Sequence, residues 1–150
     1  MPTLADIATI PFFEGLTADE HTALAQYATR QTFAKGAVIF YEGDPGNALC
    51  LVLDGAVTIG KEDVDGALMM VSMIGRQDIF GEGALIDDVR RSATAIAATN
   101  AVVLMLKKTS FEALSHEQPQ LAIQVLRRIA RIIRNRLRKA SADLVDLLPH

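Results

Sequence analysis

Residues 80–97 read FGEGALIDDVRRSATAIA, with two glycines, three carboxylates and two adjacent arginines set among apolar residues. Gly81 and Gly83 have no side chains to keep a ligand off the backbone, so the amides around Glu82, Ala84 and Leu85 can approach an anion. A short helical turn over 83–86 would aim its unpaired N–H groups outward as a small positive nest. Arg91, back on a strand, would add the formal countercharge and can fork two hydrogen bonds onto phosphate oxygens. Glu82 is the odd member. A carboxylate beside a phosphate is repelled unless it accepts from a hydroxyl on the same ligand, and a sugar hydroxyl next to the phosphate meets that need. The competing reading is a β-turn with surface charges, in which Arg91 pairs with Asp87 or Asp88. That reading accounts for any one residue but not for the combination.

Outward from this stretch, short apolar or alternating runs at 37–41, 48–53, 56–59, 68–74, 93–98 and 101–106 are separated by turn residues. The turns are 42–47, Asp54-Gly55, Asp65-Gly66 and 75–78. Short strands about ten residues apart predict an antiparallel sandwich or roll, not a parallel sheet with crossover helices. Helical signals bracket them. Thr17 and Glu20 form a capping box ahead of a helix over about 18–29, with Leu24 and Tyr27/Ala28 on one stripe and Phe12-Phe13 as a staple. Thr109 and Glu112 repeat the capping-box spacing, and Pro119 suits the first turn of a long last helix. The fold class expected is α+β: an antiparallel β-roll (jelly roll) over about 31–108, N-terminal helices over about 1–30 and C-terminal helices over about 109–148. Its 150 residues amount to one domain, 1–150, burying roughly 70% of the unfolded surface.

The last helix carries two apolar stripes. Leu126, Ala130, Ile133, Leu137, Ala140, Leu144 and Leu147 recur at alternating steps of four and three, the a/d repeat of a coiled coil. Ile129, Ile132, Val145 and Leu148 flank them. One stripe can cover the sheet and the other needs a partner, which points to a homodimer.

Half the residues are hydrophobic and 22% are charged, which fits a packed core and argues against disorder. Cys50 is the one cysteine and lies in an apolar run, the place of a buried thiol in a reducing compartment. The amino terminus has no basic-then-apolar leader and no apolar run nears 18 residues, so the expected location is cytoplasmic, off the membrane. The net charge of −3 is unevenly spread: residues 1–126 hold 8 basic and 16 acidic residues, net −8, whereas 127–150 hold 7 and 2, net +5. The basic set is Arg127, Arg128, Arg131, Arg134, Arg136, Arg138 and Lys139. It reads as the solvated face of an amphipathic helix or a partner for the acidic body, ahead of a nucleic-acid surface.

Catalytic alternatives find no support. A metal-binding roll needs histidines and a carboxylate converging from neighbouring strands, yet His21, His116 and His150 all lie outside the expected strands, so no metal is expected. There is no Gly-x-Ser-x-Gly, no P-loop and no cysteine placed with a histidine. The chain is not expected to be an enzyme.

Phe80-Gly81-Glu82-x-Ala84-Leu85 followed by Arg91-Ser92-Ala93 resembles the phosphate-binding cassette of the cyclic nucleotide-binding domain family, which includes the catabolite activator protein and the regulatory subunits of cyclic-AMP-dependent kinase. Pro11-x-Phe13-x-Gly15-Leu16, Glu42-Gly43-Asp44 and Gly55 extend the likeness over about residues 10–145. The resemblance implies that Glu82 holds a ribose 2′-hydroxyl and Arg91 neutralises a cyclic phosphate. Amides of Ala84 and Leu85 would complete the anion site, and Ser92 would donate to phosphate or base. It further implies Ile59, Val71, Ser72 and Ile74 around the base, Phe80 as a ligand-binding residue of the cassette, and Arg136 and Ser141 reaching the purine from the last helix. Gly83 departs from the family's larger apolar residue, and Arg90 reads as a solvated charge. The implied ligand is cyclic AMP ahead of cyclic GMP. The implied output is movement of the last helix toward an effector protein of unknown identity. No helix-turn-helix segment follows that helix, so no direct DNA binding is expected. The alternatives are a scaffold dimer that needs no nucleotide, or the sensor part of a transcription regulator.

Overall fold

The computed structural model describes residues 4–148. In chain order the elements are α1 (Leu4–Ala8), a 3-10 turn (Pro11–Phe13), α2 (Ala18–Tyr27), β1 (Ala28–Phe33), β2 (Val38–Phe40), β3 (Ala48–Asp54), β4 (Val57–Glu62), β5 (Leu68–Ile74), β6 (Ile79–Phe80), α3 (Gly83–Ile86), β7 (Thr94–Ala97), β8 (Ala101–Lys107), α4 (Lys108–Glu117) and α5 (Pro119–Asp146). The strands form two antiparallel sheets, ordered β1-β8-β3-β6 and β2-β7-β4-β5. This is the expected roll with flanking helices.

Strand β3 explains the layering. Its sequence ALCLVLD is buried from Ala48 through Val52 because both faces are covered. Cys50 and Val52 point between the sheets, where they meet Val57, Ile74, Phe80, Ala95 and Val103. Leu49 and Leu51 point the other way and join Leu104 and Leu106 under Phe12, Phe13, Leu24, Leu114, Leu121, Val125 and Ile129. Side chains alternate along a strand, so a run apolar at every position marks a strand coated on both sides. Burying each leucine contributes roughly 1.5–3 kcal/mol. Burial also pushes the Cys50 thiol up to about 12, against the pull of the Arg91 charge.

At the helix starts, the first capping box is complete: the Glu20 amide donates to Thr17 Oγ1 at 3.1 Å and the Thr17 amide to Glu20 Oε1 at 2.9 Å. The second is not formed. Helix α4 begins at Lys108 with no side-chain cap, because β8 runs straight into it and the Lys108 amide donates to Asn47 O at 2.8 Å. With that donor satisfied by backbone, Thr109 lies inside the first turn. Pro119 does open α5.

Three boundaries differ from expectation. Helix α2 stops at Tyr27, and Ala28–Phe33 is a strand paired to β8 along its whole length. Strand β4 continues through Gly60 to Glu62. Gly60 does not break it but lets it pass β5, since a Cβ there would lie 2.9 Å from the Leu68 side chain. Arg91 sits three residues before β7, next to an isolated bridge between Arg90 and Pro45.

Helix α5 buries Leu121, Ala122, Val125 and Ile129 against the body. Its other stripe, Leu126, Ala130, Ile133, Leu137, Ala140, Leu144 and Leu147, is exposed, and from Leu137 to Leu148 every residue is exposed. Strand β5 is the edge of its sheet and exposes Leu68, Met69, Met70, Val71 and Met73. Among the described residues, no helix is long and apolar enough to cross a membrane, and no group of three or more His, Cys, Asp or Glu could hold a metal ion. His21 and His116 lie on α2 and α4; His150 is outside the described residues.

Candidate ligand site

The Glu42-Gly43-Asp44 turn clamps the backbone that carries Arg91. The Arg91 amide donates to Asp44 O at 2.7 Å, the Gly43 amide to Arg91 O at 2.8 Å, and the Gly46 amide to Val89 O at 3.1 Å. So held, the Arg91 side chain runs inward and is only 7% exposed. Nη1 donates to Gly81 O at 3.1 Å and Nη2 to Ala48 O at 2.8 Å. Its guanidinium carbon stands 4.0 Å from the centroid of Phe40, whose ring packs 5.9 Å from that of Phe80. Gly81 is required here. Its φ is +69°, and a Cβ would lie 2.5 Å from Arg91 Nη1.

Among the described residues, Arg91 has no carboxylate partner. Among the described residues, Asp88 is paired instead with Lys108, which disposes of a surface pairing between Arg91 and that acid. Arg91 Nε is buried with no hydrogen-bond partner. Desolvation lowers the Arg91 pKa, opposed by nearby Cys50, Asp44 and Glu82. A buried cation held only by carbonyl dipoles and a ring face is a strong acceptor of an anion, because an uncompensated buried charge is costly.

Arg91 faces a cavity of about 450 Å³, within the range of small-molecule sites. Phe40, Ile59, Ile74 and Phe80 line an apolar part. Gly81 to Ala84 and Arg90 to Ala93 form a polar rim, while Ser72 enters from β5 and Arg136 from α5. Arg136 ties the last helix to this rim. Its Nη2 donates to Asp78 Oδ1 at 2.9 Å and Ile79 O at 2.5 Å, and its Nη1 to Glu82 Oε1 at 3.4 Å.

The cavity therefore gathers Phe80, Gly81, Glu82, Ala84, Arg91, Ser92, Ile59, Ser72, Ile74 and Arg136. Val71, Leu85 and Ser141 do not line it. Val71 falls in the register shift of the β4–β5 pair, where Ser72 opposes Ile59 and Met70 opposes Gly60, and it is 60% exposed. The Leu85 side chain packs into the helix-side core. Ser141 is on the exposed end of α5. The amides of Ala84 and Leu85 close the turn, donating to Gly81 O at 3.3 Å and Glu82 O at 3.2 Å. Arg90 donates to Gly43 O at 2.9 Å and also borders the cavity. Phe40 and Asp78 have no place in the sequence reading. They reach the site through sheet pairing and a helix contact, and no local spacing announces either.

An apolar cavity thus ends in a buried arginine beside a glycine-flanked acid, on an antiparallel roll capped by a long helix. A profile of the cyclic nucleotide-binding domain matches residues 30–118, and the chain belongs to that family. It is 34% identical over 138 residues to the cyclic AMP receptor protein of Thermus thermophilus, covering 92% of this chain and 62% of that protein. The chain thus spans less than two thirds of that relative. Among solved structures it resembles a cyclic nucleotide-binding domain from Methylobacillus flagellatus (26% identity, TM-score 0.83, 98% of this chain and 83% of that one). It also resembles the regulatory subunit of a cAMP-independent protein kinase A from Trypanosoma brucei (28% identity, TM-score 0.71, 85% and 46%).

Proposed function

We propose that this chain is a regulatory module that binds a cyclic nucleotide, cyclic AMP ahead of cyclic GMP, and passes its occupancy through α5 to an effector protein. The observation that carries the reading is Arg91, a buried guanidinium with an unpartnered Nε facing a cavity whose rim includes Glu82. The cyclic phosphate's single charge goes to Arg91, and the ribose 2′-hydroxyl donates to Glu82. The base lies against Ile59, Ile74 and Ser72, with Ser92 within the same rim. Cyclic AMP takes precedence because the Thermus relative is named for it.

Coupling follows from Arg136. It belongs to α5 yet already donates to Glu82, so ligand hydroxyl and helix compete for, or share, one carboxylate. Binding then has different free energies for different helix positions, the condition for a ligand to shift a population. The module works as a homodimer through the exposed stripe of α5, in a cytoplasmic setting and without a metal. Calorimetric titration with cyclic AMP and cyclic GMP tests the reading, and no heat and no melting shift at millimolar ligand overturns it. The second reading, a nucleotide-independent scaffold dimer, draws on the cAMP-independent kinase subunit that shares the fold, and that same null result would favour it.

A further inference from the structure

Helix α5 carries a basic row that neither the cavity nor the dimer stripe uses. Arg127, Arg131, Arg134 and Arg138 are all exposed and recur at steps of four, three and four. At 100° per residue they occupy about 60° of arc, centred roughly 150° from the buried Leu121, Val125 and Ile129 and about 110° from the exposed apolar stripe. The row points away from the body and runs roughly 16 Å along the helix. Among the described residues none of the four has an ion pair, whereas Arg128 donates to Phe12 O and Arg136 holds Asp78 and Glu82.

Acids on this helix begin only beyond the row, at Asp143 and Asp146. From Gln118 to Ala142 the chain has seven basic residues and no acid. Like charges three and four apart destabilise a helix, and an ordinary solvated face relieves this by mixing signs. Across the seam, the helix of a second copy supplies no acid. In a parallel, in-register pair built on the Leu126–Leu147 stripe, the residues that cross to meet Arg127 and Arg134 are Ala122 and Ile129 of the other helix. Water and salt ions solvate the row, and a fixed external anion would relieve its repulsion further; the shape of that anion follows from the body. Residues 1–126 carry −8, so a broad polyanion, such as a duplex or a lipid surface, that overlaps the body as well as α5 is repelled within a Debye length of about 8–10 Å. A narrow acidic segment, carboxylates matched to the row, escapes most of that field. Arginine's planar fork also suits carboxylates.

We infer that the Arg127–Arg131–Arg134–Arg138 row is the docking surface for an acidic segment of a partner protein. This deepens the effector reading of α5 and rests on it. It is tested without nucleotide, so that the two can fail separately. Poly-L-glutamate, a short DNA duplex and phosphatidylserine vesicles, matched in charge concentration, are titrated against the full chain at low salt and at roughly 0.3 M salt, where surface charges are largely screened. Polyglutamate should bind most tightly and weaken with salt. Replacing all four arginines by glutamine, a residue that keeps the helix, should weaken polyglutamate binding by about tenfold or more. Cyclic AMP titration of the same variant, together with its circular dichroism, checks that fold and cavity are intact. The inference is overturned if polyglutamate binds variant and parent alike, or if duplex or vesicles bind more tightly than polyglutamate through the same arginines.

Discussion

Replacing Arg91 by glutamine separates the role of this residue in the fold from its role in binding. A guanidinium has five N–H donors, and two of them hold Gly81 O and Ala48 O, leaving three, among them the unpartnered Nε. Glutamine can keep one carbonyl satisfied, at the loss of the charge and of the fork. For the free protein two effects oppose each other. One carbonyl left without a donor costs about 1–3 kcal/mol, while removing a desolvated cation gives part of that back, in keeping with the depressed Arg91 pKa. The melting temperature of the free protein should therefore move little. Ligand binding has no such offset. Charge-assisted bonds worth about 1.5–3 kcal/mol in total disappear, a loss of about 10- to 150-fold in cyclic AMP affinity. Calorimetry on the parent and Arg91→Gln, alongside thermal melts, measures both quantities. A variant that melts like the parent and binds within about threefold of it would refute the assignment of the phosphate to Arg91.

Four further outcomes are expected. 2′-Deoxy cyclic AMP should bind about tenfold or more weakly than cyclic AMP, because Glu82 is left without its hydroxyl donor; equal affinity would mean that Glu82 does not read the ribose. Ile133→Glu with Leu137→Glu places like charges on the exposed stripe of α5, so light scattering should report monomers where the parent gives dimers, and a monomeric parent at high micromolar concentration would count against the seam. Asp78→Ala removes the 2.9 Å pair with Arg136, a partly exposed contact worth about 0.2–1 kcal/mol, so amide exchange over 133–140 should quicken by up to about fivefold. Cys50, held at about 12 by burial, keeps its proton in the native state while the unfolded thiol loses its proton near 9. Its contribution to stability is thus complete below pH 9 and declines toward pH 12. Native protein at about pH 8 should therefore resist alkylation until denaturant is added.

The legible parts of the fold are those where one residue's neighbours along the chain are also its physical partners. The Thr17–Glu20 box closes within a single turn, and the runs that became β3, β7 and β8 show their burial directly in apolar composition, whereas β5 is apolar yet exposed. Strand β1 was hidden because Thr29 to Thr32 are polar and exposed on an edge strand, held by backbone pairing to β8 and not by a buried face. Strand β6 is two residues long, too short for any period. The site divides the same way. Glu82 and Arg91 share one contiguous segment, and their spacing carries chemistry. Phe40 approaches Arg91 from strand β2, far off in the chain, and Asp78 meets Arg136 across 58 residues of chain. Val71 reads as an inward-facing strand residue until the register shift beside it is seen.

The far end of α5 bears on how any measurement on this protein is designed. The ten residues from Leu137 to Asp146 have no support from the rest of the chain. The stretch continues a helix anchored at Leu121 to Ile129, so it escapes the nucleation cost but gains only one backbone hydrogen bond for each residue fixed. Fixing its backbone costs roughly 1–2 kcal/mol per residue, which the intrahelical bonds about balance, so contacts from outside the chain tip the segment toward order. With the proposed second copy docking on this stripe, the order of the segment becomes a function of protein concentration. Far-ultraviolet ellipticity per residue should deepen on going from nanomolar to millimolar solutions, with no ligand added. Nucleotide affinities obtained at those two extremes would belong to differently ordered chains.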